Sequence, residues 1–307
     1  MIYVLFKILK KNKNYYKYII IICFFYYTII DTFFMIKNFS NFILFPHHQG
    51  QKLYGVSKTP DIIKDIFINY FSNVESSSPR FIDLPFHKSP SDNLFSLYSA
   101  NCHFPYKKIN IGGDHSMAIG SLGYSVNKYP NVKTIWFDAH ADINTYSSSP
   151  TANLHGMPLS ILTGIENNNN FPFLKYKLKL SNIMYVGLRD VDPYEQFILD
   201  KYNIPVITSK KFNSDPHSAL NNIVDFISDS HFHLSFDVDS IDPLFIPCTG
   251  TPVPDGLHIE TTKYVLEHLS KHKKLINMDL TEFNISENHF SKHDINLSLN
   301  NLLKIFL

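Results

Sequence analysis

Lys108-Ile109-Asn110-Ile111 runs through Gly112-Gly113-Asp114-His115-Ser116 into residues 117–128, and this stretch decides the fold. A short run with β-branched residues, a glycine pair that lets the chain turn, and about three turns of helical period make a strand, a loop and a helix. The same alternation extends in both directions. Strands are predicted at 41–45, 80–84, 108–111, 134–138, 183–188, 206–208, 233–237 and 275–280, and helices at 117–128, 194–202, 216–230 and 259–271. Such alternation predicts an α/β fold of three layers, a central and mostly parallel eight-stranded sheet with helices on both faces. It occupies one domain over residues 41–307.

Composition narrows the function before any motif does. A net charge of +1 with 44% apolar residues excludes a disordered chain and a protein that holds nucleic acid through a basic surface. Cys23, Cys102 and Cys248 are odd in number and far apart, so neither a disulfide framework nor a thiolate metal cluster is expected. Arg80 and Arg189 are the only arginines among 28 basic residues, and nine of the 11 glycines lie between Gly112 and Gly256. Residue types that are scarce elsewhere gather in the middle of the chain.

Residues 1–40 read as a separate extension. Lys7, Lys10, Lys11, Lys13 and Lys17 precede an apolar run from Tyr18 to Ile30 that Asp31 interrupts, short of the roughly 20 residues a spanning helix needs. Three readings stand: a signal or membrane anchor, with membrane contact through residues 1–36 only; a working start at Met35, which would leave a cytoplasmic catalytic domain; or an amphipathic extension.

Four predicted strands end in polar clusters, which is where a parallel sheet collects its functional groups. Asp138, His140 and Asp142 are spaced by two as the chain leaves a strand, so their side chains share one side of the backbone. Asp237 and Asp239 repeat that spacing. With His115 they form four carboxylates and two imidazoles, a ligand set suited to two divalent ions such as Mn²⁺. Without cations the carboxylates would repel one another and titrate higher. Two such ions can share a water and lower its pKa, so metal-assisted hydrolysis is the expected reaction class.

Gly112-Gly113-Asp114-His115-Ser116, Asp138-Ala139-His140-Ala141-Asp142 and Ser235-Phe236-Asp237-Val238-Asp239-Ser240-Ile241-Asp242-Pro243 are similar, in this order, to the three signature motifs of the ureohydrolases, the arginase and agmatinase family. The resemblance implies one manganese ion held by His115, Asp138, Asp142 and Asp237, and a second by His140, Asp138, Asp237 and Asp239. Asp138 and Asp237 would bridge. It implies a hydroxide between the ions that attacks a guanidinium carbon. His155 and Glu282 join Asp142 as catalytic residues: Glu282 pairs with the guanidinium, and His155 returns a proton to the leaving amine. Asn144 and Thr151, with Asn153 alongside, would contact an α-carboxylate; Asp192, with Glu195, would face an α-ammonium; Thr251 lines the pocket. An agmatinase has no carboxylate to bind, so the substrate implied is L-arginine and the products are L-ornithine and urea. Agmatinase, another guanidino-substrate hydrolase and a non-catalytic arginine- or metal-binding protein remain alternatives.

Two departures accompany the resemblance. The interval between Leu84 and Lys108 is short for an arginase, so a helix before the Gly-Gly-Asp-His strand is expected to be reduced or missing. Only 23 residues follow Asn284, and Ile285 stands where the family has proline. Members of the family use their C-terminal tails in trimer contacts, so a homotrimer is expected.

Overall fold

The computed structural model describes residues 35–74, 79–104, 107–167 and 169–307. The basic and apolar run that suggests an anchor therefore lies outside the described residues. Among those described, no helix is long and apolar enough to cross a membrane.

Eight strands form one sheet: β1 (Asn41–Leu44), β2 (Arg80–Asp83), β3 (Lys108–Ile111), β4 (Lys133–Phe137), β5 (Ile183–Val186), β6 (Val206–Ile207), β7 (Phe232–Asp237) and β8 (Leu275–Thr281). Their order is β2-β1-β3-β8-β7-β4-β5-β6, and where a mostly parallel sheet was expected every pairing is parallel. The chain builds one wing through β3, jumps to β4 to build the other, and returns to fill the gap with β7 and β8. That order makes neighbours of β3, β8, β7 and β4, the four strands with polar carboxyl-terminal loops. Strand β5 stops two residues before its predicted end, because Gly187 takes a φ of +91° that turns the chain out of the sheet.

Helices α1 (Thr59–Val74), α2 (Pro90–His103), α3 (Ala118–Lys128), α4 (Pro158–Thr163), α5 (Pro193–Tyr202), α6 (Ser209–Ser214), α7 (Pro216–Ile227), α8 (Ile259–Lys271) and α9 (Lys292–Phe306) cover the two faces. Helices α1, α7, α8 and α9 bury Ile63, Phe67, Ile223, Val265, Leu299 and Leu302 against one face. Leu94, Leu97, Leu122 and Leu159, from α2, α3 and α4, lie on the other. Burying each such side chain contributes about 1.5–3 kcal/mol.

One expectation changes. The helix expected to be reduced or missing before β3 is α2, fourteen residues long; the Ser89 hydroxyl accepts from the Asp92 N–H and Pro90 opens the first turn. The short interval is accommodated by short connections rather than by a lost helix. The packed body also begins before residue 41: a 3₁₀ turn, Met35–Asn38, buries Met35 and Ile36 against α8 and α9. At the other end α9 turns its apolar face inward, with Leu302, Ile305 and Phe306 buried within its own subunit.

Candidate active site

The strand-end loops converge as the spacing predicts. Behind β3, the Asp114 carboxylate caps a 3₁₀ turn that starts at His115; behind β7, Asp237 caps another that holds Asp239. Asp138, His140 and Asp142 follow β4, and Glu282 follows β8. Asp142 and Glu282 both hold left-handed backbone, at φ +50° and +62°. Side-chain residues pay strain there, and such positions cluster at functional sites.

His115 Nδ1 lies 3.0 Å from a carboxylate oxygen of each of Asp138, Asp142 and Asp237. A ring nitrogen carries at most one proton, and none of these oxygens lies where a proper hydrogen bond to Nδ1 would put it. The second group is Asp138, His140 and Asp239, with His140 Nδ1 at 3.4 Å from Asp138 and 3.0 Å from Asp239. Three carboxylates about one nitrogen repel unless a cation stands among them. Two ligands at right angles around an ion at about 2.1 Å are themselves about 3.0 Å apart, so the spacing suits a small divalent ion. The donor set fits such ions in both groups.

Electrostatics agrees with the geometry. Burial, then the charges of Asp239 and Asp138, drives the Asp237 carboxyl well above the usual carboxylate range. Burial and then Asp138 push Asp142 up to about 6. Burial acts the same way on Asp138, but the imidazoles of His115 and His140 beside it outweigh it and hold this carboxyl low. For His140, burial is outweighed by Asp239 and Asp138, and its pKa rises.

Two of the candidate ligands, His115 and Asp138, are held by side chains of the strands behind them. His115 stacks on Trp136, 4.1 Å between ring centres, and Trp136 Nε1 donates to Asp138 at 2.9 Å. Ser235 Oγ is 2.8 Å from His115 Nε2; a ring whose Nδ1 lone pair faces the cluster donates its other N–H there. Trp136 and Ser235 precede Asp138 and Asp237 by two, the spacing that puts side chains on one face of a strand. That period could have found them.

A cavity of about 350 Å³ opens above this cluster, lined by His140, Asp142, Asn144, Thr151, Asn153, His155, Asp192, Glu195, Asp237, Asp239, Thr251 and Glu282. His115 and Asp138 lie beneath it, fully buried. At the rim, Asn144 Nδ2 donates to Asp192 at 2.8 Å and Ser148 Oγ donates to Asn144 Oδ1 at 2.8 Å, which leaves one amide N–H of Asn144 to the cavity. Glu195 is mostly engaged with the backbone: its carboxylate accepts from the N–H groups of Asp192 and Ile143, and burial pushes it up to about 7. Thr151 Oγ1 accepts from the Asn153 N–H, and Thr251 Oγ1 donates to Asp239 at 3.2 Å.

Glu282 is fixed on both oxygens. One accepts from the His115 N–H at 2.8 Å and lies 3.1 Å from His155 Nδ1; the other accepts from Gln51 Nε2. Gln51 sits in the loop after β1, where no motif points to it. Burial alone would lower the His155 pKa, but the Glu282 carboxylate raises it to about 9, so the ring holds a proton at neutral pH.

Comparison with known proteins places these features in context. The profile of the Arginase family matches residues 65–294. An arginase of Entamoeba histolytica is 34% identical over 269 residues, 79% of this chain and 90% of the relative. The non-hepatic arginase 2 of Xenopus laevis is 34% identical over 267 residues, 78% of this chain and 74% of the relative. The crystal structure of the Entamoeba histolytica arginase in complex with L-ornithine superposes with a TM-score of 0.77 at 30% identity, over 87% of this chain and 98% of that one.

Proposed function

This chain belongs to the arginase family of hydrolases, and from that membership we propose that it converts L-arginine and water to L-ornithine and urea at a centre of two divalent ions, manganese by the oxygen and imidazole character of the donors. The observation that carries the reading is the crowding of three carboxylate oxygens at 3.0 Å around His115 Nδ1, a buried arrangement that a cation relieves. His115, Asp138, Asp142 and Asp237 would hold one ion, and His140, Asp138, Asp237 and Asp239 the other. When bound, the ions supply Lewis acidity and a water acidic enough to act near neutral pH.

The remaining work belongs to side chains. Glu282 accepts N–H groups of the guanidinium, and because His115 and Gln51 already fix its carboxylate, little freedom is lost when substrate arrives. Asp142, whose carboxylate lines the cavity, would accept the proton that the attacking water gives up. His155 gives its proton to the departing amine of ornithine. At the rim the free amide N–H of Asn144, with Thr151 and Asn153, meets the α-carboxylate, and Asp192 meets the α-ammonium.

Full-length protein loaded with Mn²⁺ and assayed for urea tests this reading. Release from L-arginine is expected, with little from agmatine. Release from agmatine and none from L-arginine would overturn it in favour of an agmatinase; release from neither would favour a binding protein.

A further inference from the structure

Arg189 is one of two arginines in a chain whose other basic residues are lysine. Lysine serves where a cation has only to be solvated, so an arginine kept against that bias points to its planar fork of donors. Among the described residues, the hydrogen-bond acceptors of that fork are main-chain carbonyls. Nε donates to Pro254 at 2.9 Å and Val253 at 3.3 Å. Nη1 donates to Gly187 at 2.9 Å and Ser240 at 3.2 Å. Nη2 donates to Asp239 at 2.8 Å and Val253 at 2.6 Å. The acceptors belong to three separate stretches: the exit of β5, the turn after β7 that carries Asp239, and the segment after Thr251.

The backbone of Arg189 closes the arrangement. Its N–H donates to the Ala139 carbonyl at 2.9 Å, and the Ala139 N–H donates to the Asp239 carboxylate at 3.1 Å. Arg189 therefore grips Asp239 by its carbonyl, while the residue it holds on the β4 loop grips Asp239 by its carboxylate. Asp138 and His140 flank Ala139 in the chain. All three members of the Asp138, His140 and Asp239 group thus lie on, or next to, an atom that Arg189 fixes. The His115 side chain is held differently, by Ser235 and Trp136 from within the sheet.

We propose that Arg189 is a positioning residue that sets the separation of the β4 and β7 loops and so builds the Asp138, His140 and Asp239 ion site, along with the placement of Thr251. This rests on the two-ion reading above. Lysine cannot replace it, because one ammonium donates from a single point and cannot serve carbonyls along both edges of a guanidinium.

The test is Arg189→Lys, which keeps the charge and removes the fork. Metal-free full-length wild type and variant are titrated with Mn²⁺ by calorimetry and by electron paramagnetic resonance, where a coupled pair and a lone ion differ. The expected result is one ion bound within about twofold of wild type and a second bound about tenfold or more weakly, a size usual for residues behind metal ligands. The metal-free thermal midpoint should stay near wild type. Two ions bound as in wild type would overturn the proposal, and so would equal weakening of both ions together with a fallen thermal midpoint, the mark of a merely structural role. Arg189→Gly titrated with and without methylguanidinium, against wild type treated alike, gives a second measurement if the lysine variant folds poorly: recovery of the second ion supports positioning, and no recovery counts against it. Wild type that binds fewer than two ions would sink the two-ion reading instead, before any variant is compared.

Discussion

Two buried clusters of aspartate and histidine share strands β7 and β8 and the segments around them, and they deal with burial in opposite ways. In the interior of the sheet, Asp279 accepts from Asn110 Nδ2 at 2.7 Å, from Ser121 Oγ and from His233 Nε2 at 3.0 Å. His233 Nδ1 in turn is 3.0 Å from Ser125 Oγ, and Asn101 donates to Asn110 at 3.0 Å. One carboxylate meets three donors there, and all of these residues are fully buried. At the carboxyl ends of the strands the balance is reversed: several carboxylates crowd one or two imidazoles, and His115 Nδ1 has no hydrogen bond of proper geometry. Residue type and burial are alike in the two places. The ratio of acceptors to donors separates a structural network from a candidate metal centre, because a buried polar network is stable only when each member is satisfied.

The comparison breaks most sharply on activity. Asp237→Asn should lower urea release about a thousandfold or more, roughly 4 kcal/mol of barrier. In chelator, its thermal midpoint should hold or rise. The sign follows from linkage: the folded-state carboxyl titrates well above its unfolded value, so at neutral pH its charge opposes folding, and the neutral amide removes that cost. A midpoint that falls several degrees in calorimetry would make the strand-end cluster a stabilising network and erase the distinction. Asp279→Ala should show the reverse. It strands the donors of Asn110, Ser121 and His233 and should cost about 3–5 kcal/mol in denaturant unfolding. The protein that remains folded should bind Mn²⁺ in wild-type stoichiometry with an unchanged KM; a variant that unfolds no more easily than wild type would refute the structural assignment.

How far the sequence reveals this depends on how local each feature is. Asp138, His140, Asp142, Asp237 and Asp239 are legible because two-residue spacing after a β-branched run is a short pattern with one geometric consequence. The strands are legible for the same reason, to within one or two residues. Helix α2 is hidden from a count of the residues between Leu84 and Lys108, although Ser89-Pro90 states its start plainly; the connections it needs are shorter than the count assumes. Gln51 and Arg189 are of another kind. Gln51 reaches a carboxylate 231 residues away, and the Arg189 fork meets carbonyls 50 to 65 residues on, so no local period announces either. They become visible only when the strand order brings the loops together.

A buried charge can also be handled by losing it, and Lys108 sharpens the contrast because it starts the strand that carries Asn110. Its Nζ donates to the Phe104 carbonyl at 2.6 Å and lies 4.6 Å from the Tyr124 ring centre. Burial, and then the charge of Lys128, lowers its pKa to about 7. Between pH 7 and the unfolded value near 10.5, the unfolded chain keeps a proton that the folded chain has released, so stability rises with pH across that window. Below pH 7 both states are protonated and the full penalty applies. Lys108→Met removes the penalty but leaves the Phe104 carbonyl short of a donor, a loss of about 1–3 kcal/mol that does not depend on pH. Its effect on unfolding free energy should therefore be more favourable at pH 6 than at pH 9, by roughly 2 kcal/mol. Denaturant titrations of both proteins at the two pH values measure the difference, and an effect independent of pH would mean that Lys108 stays charged in the fold, held by donors and acceptors as Asp279 is.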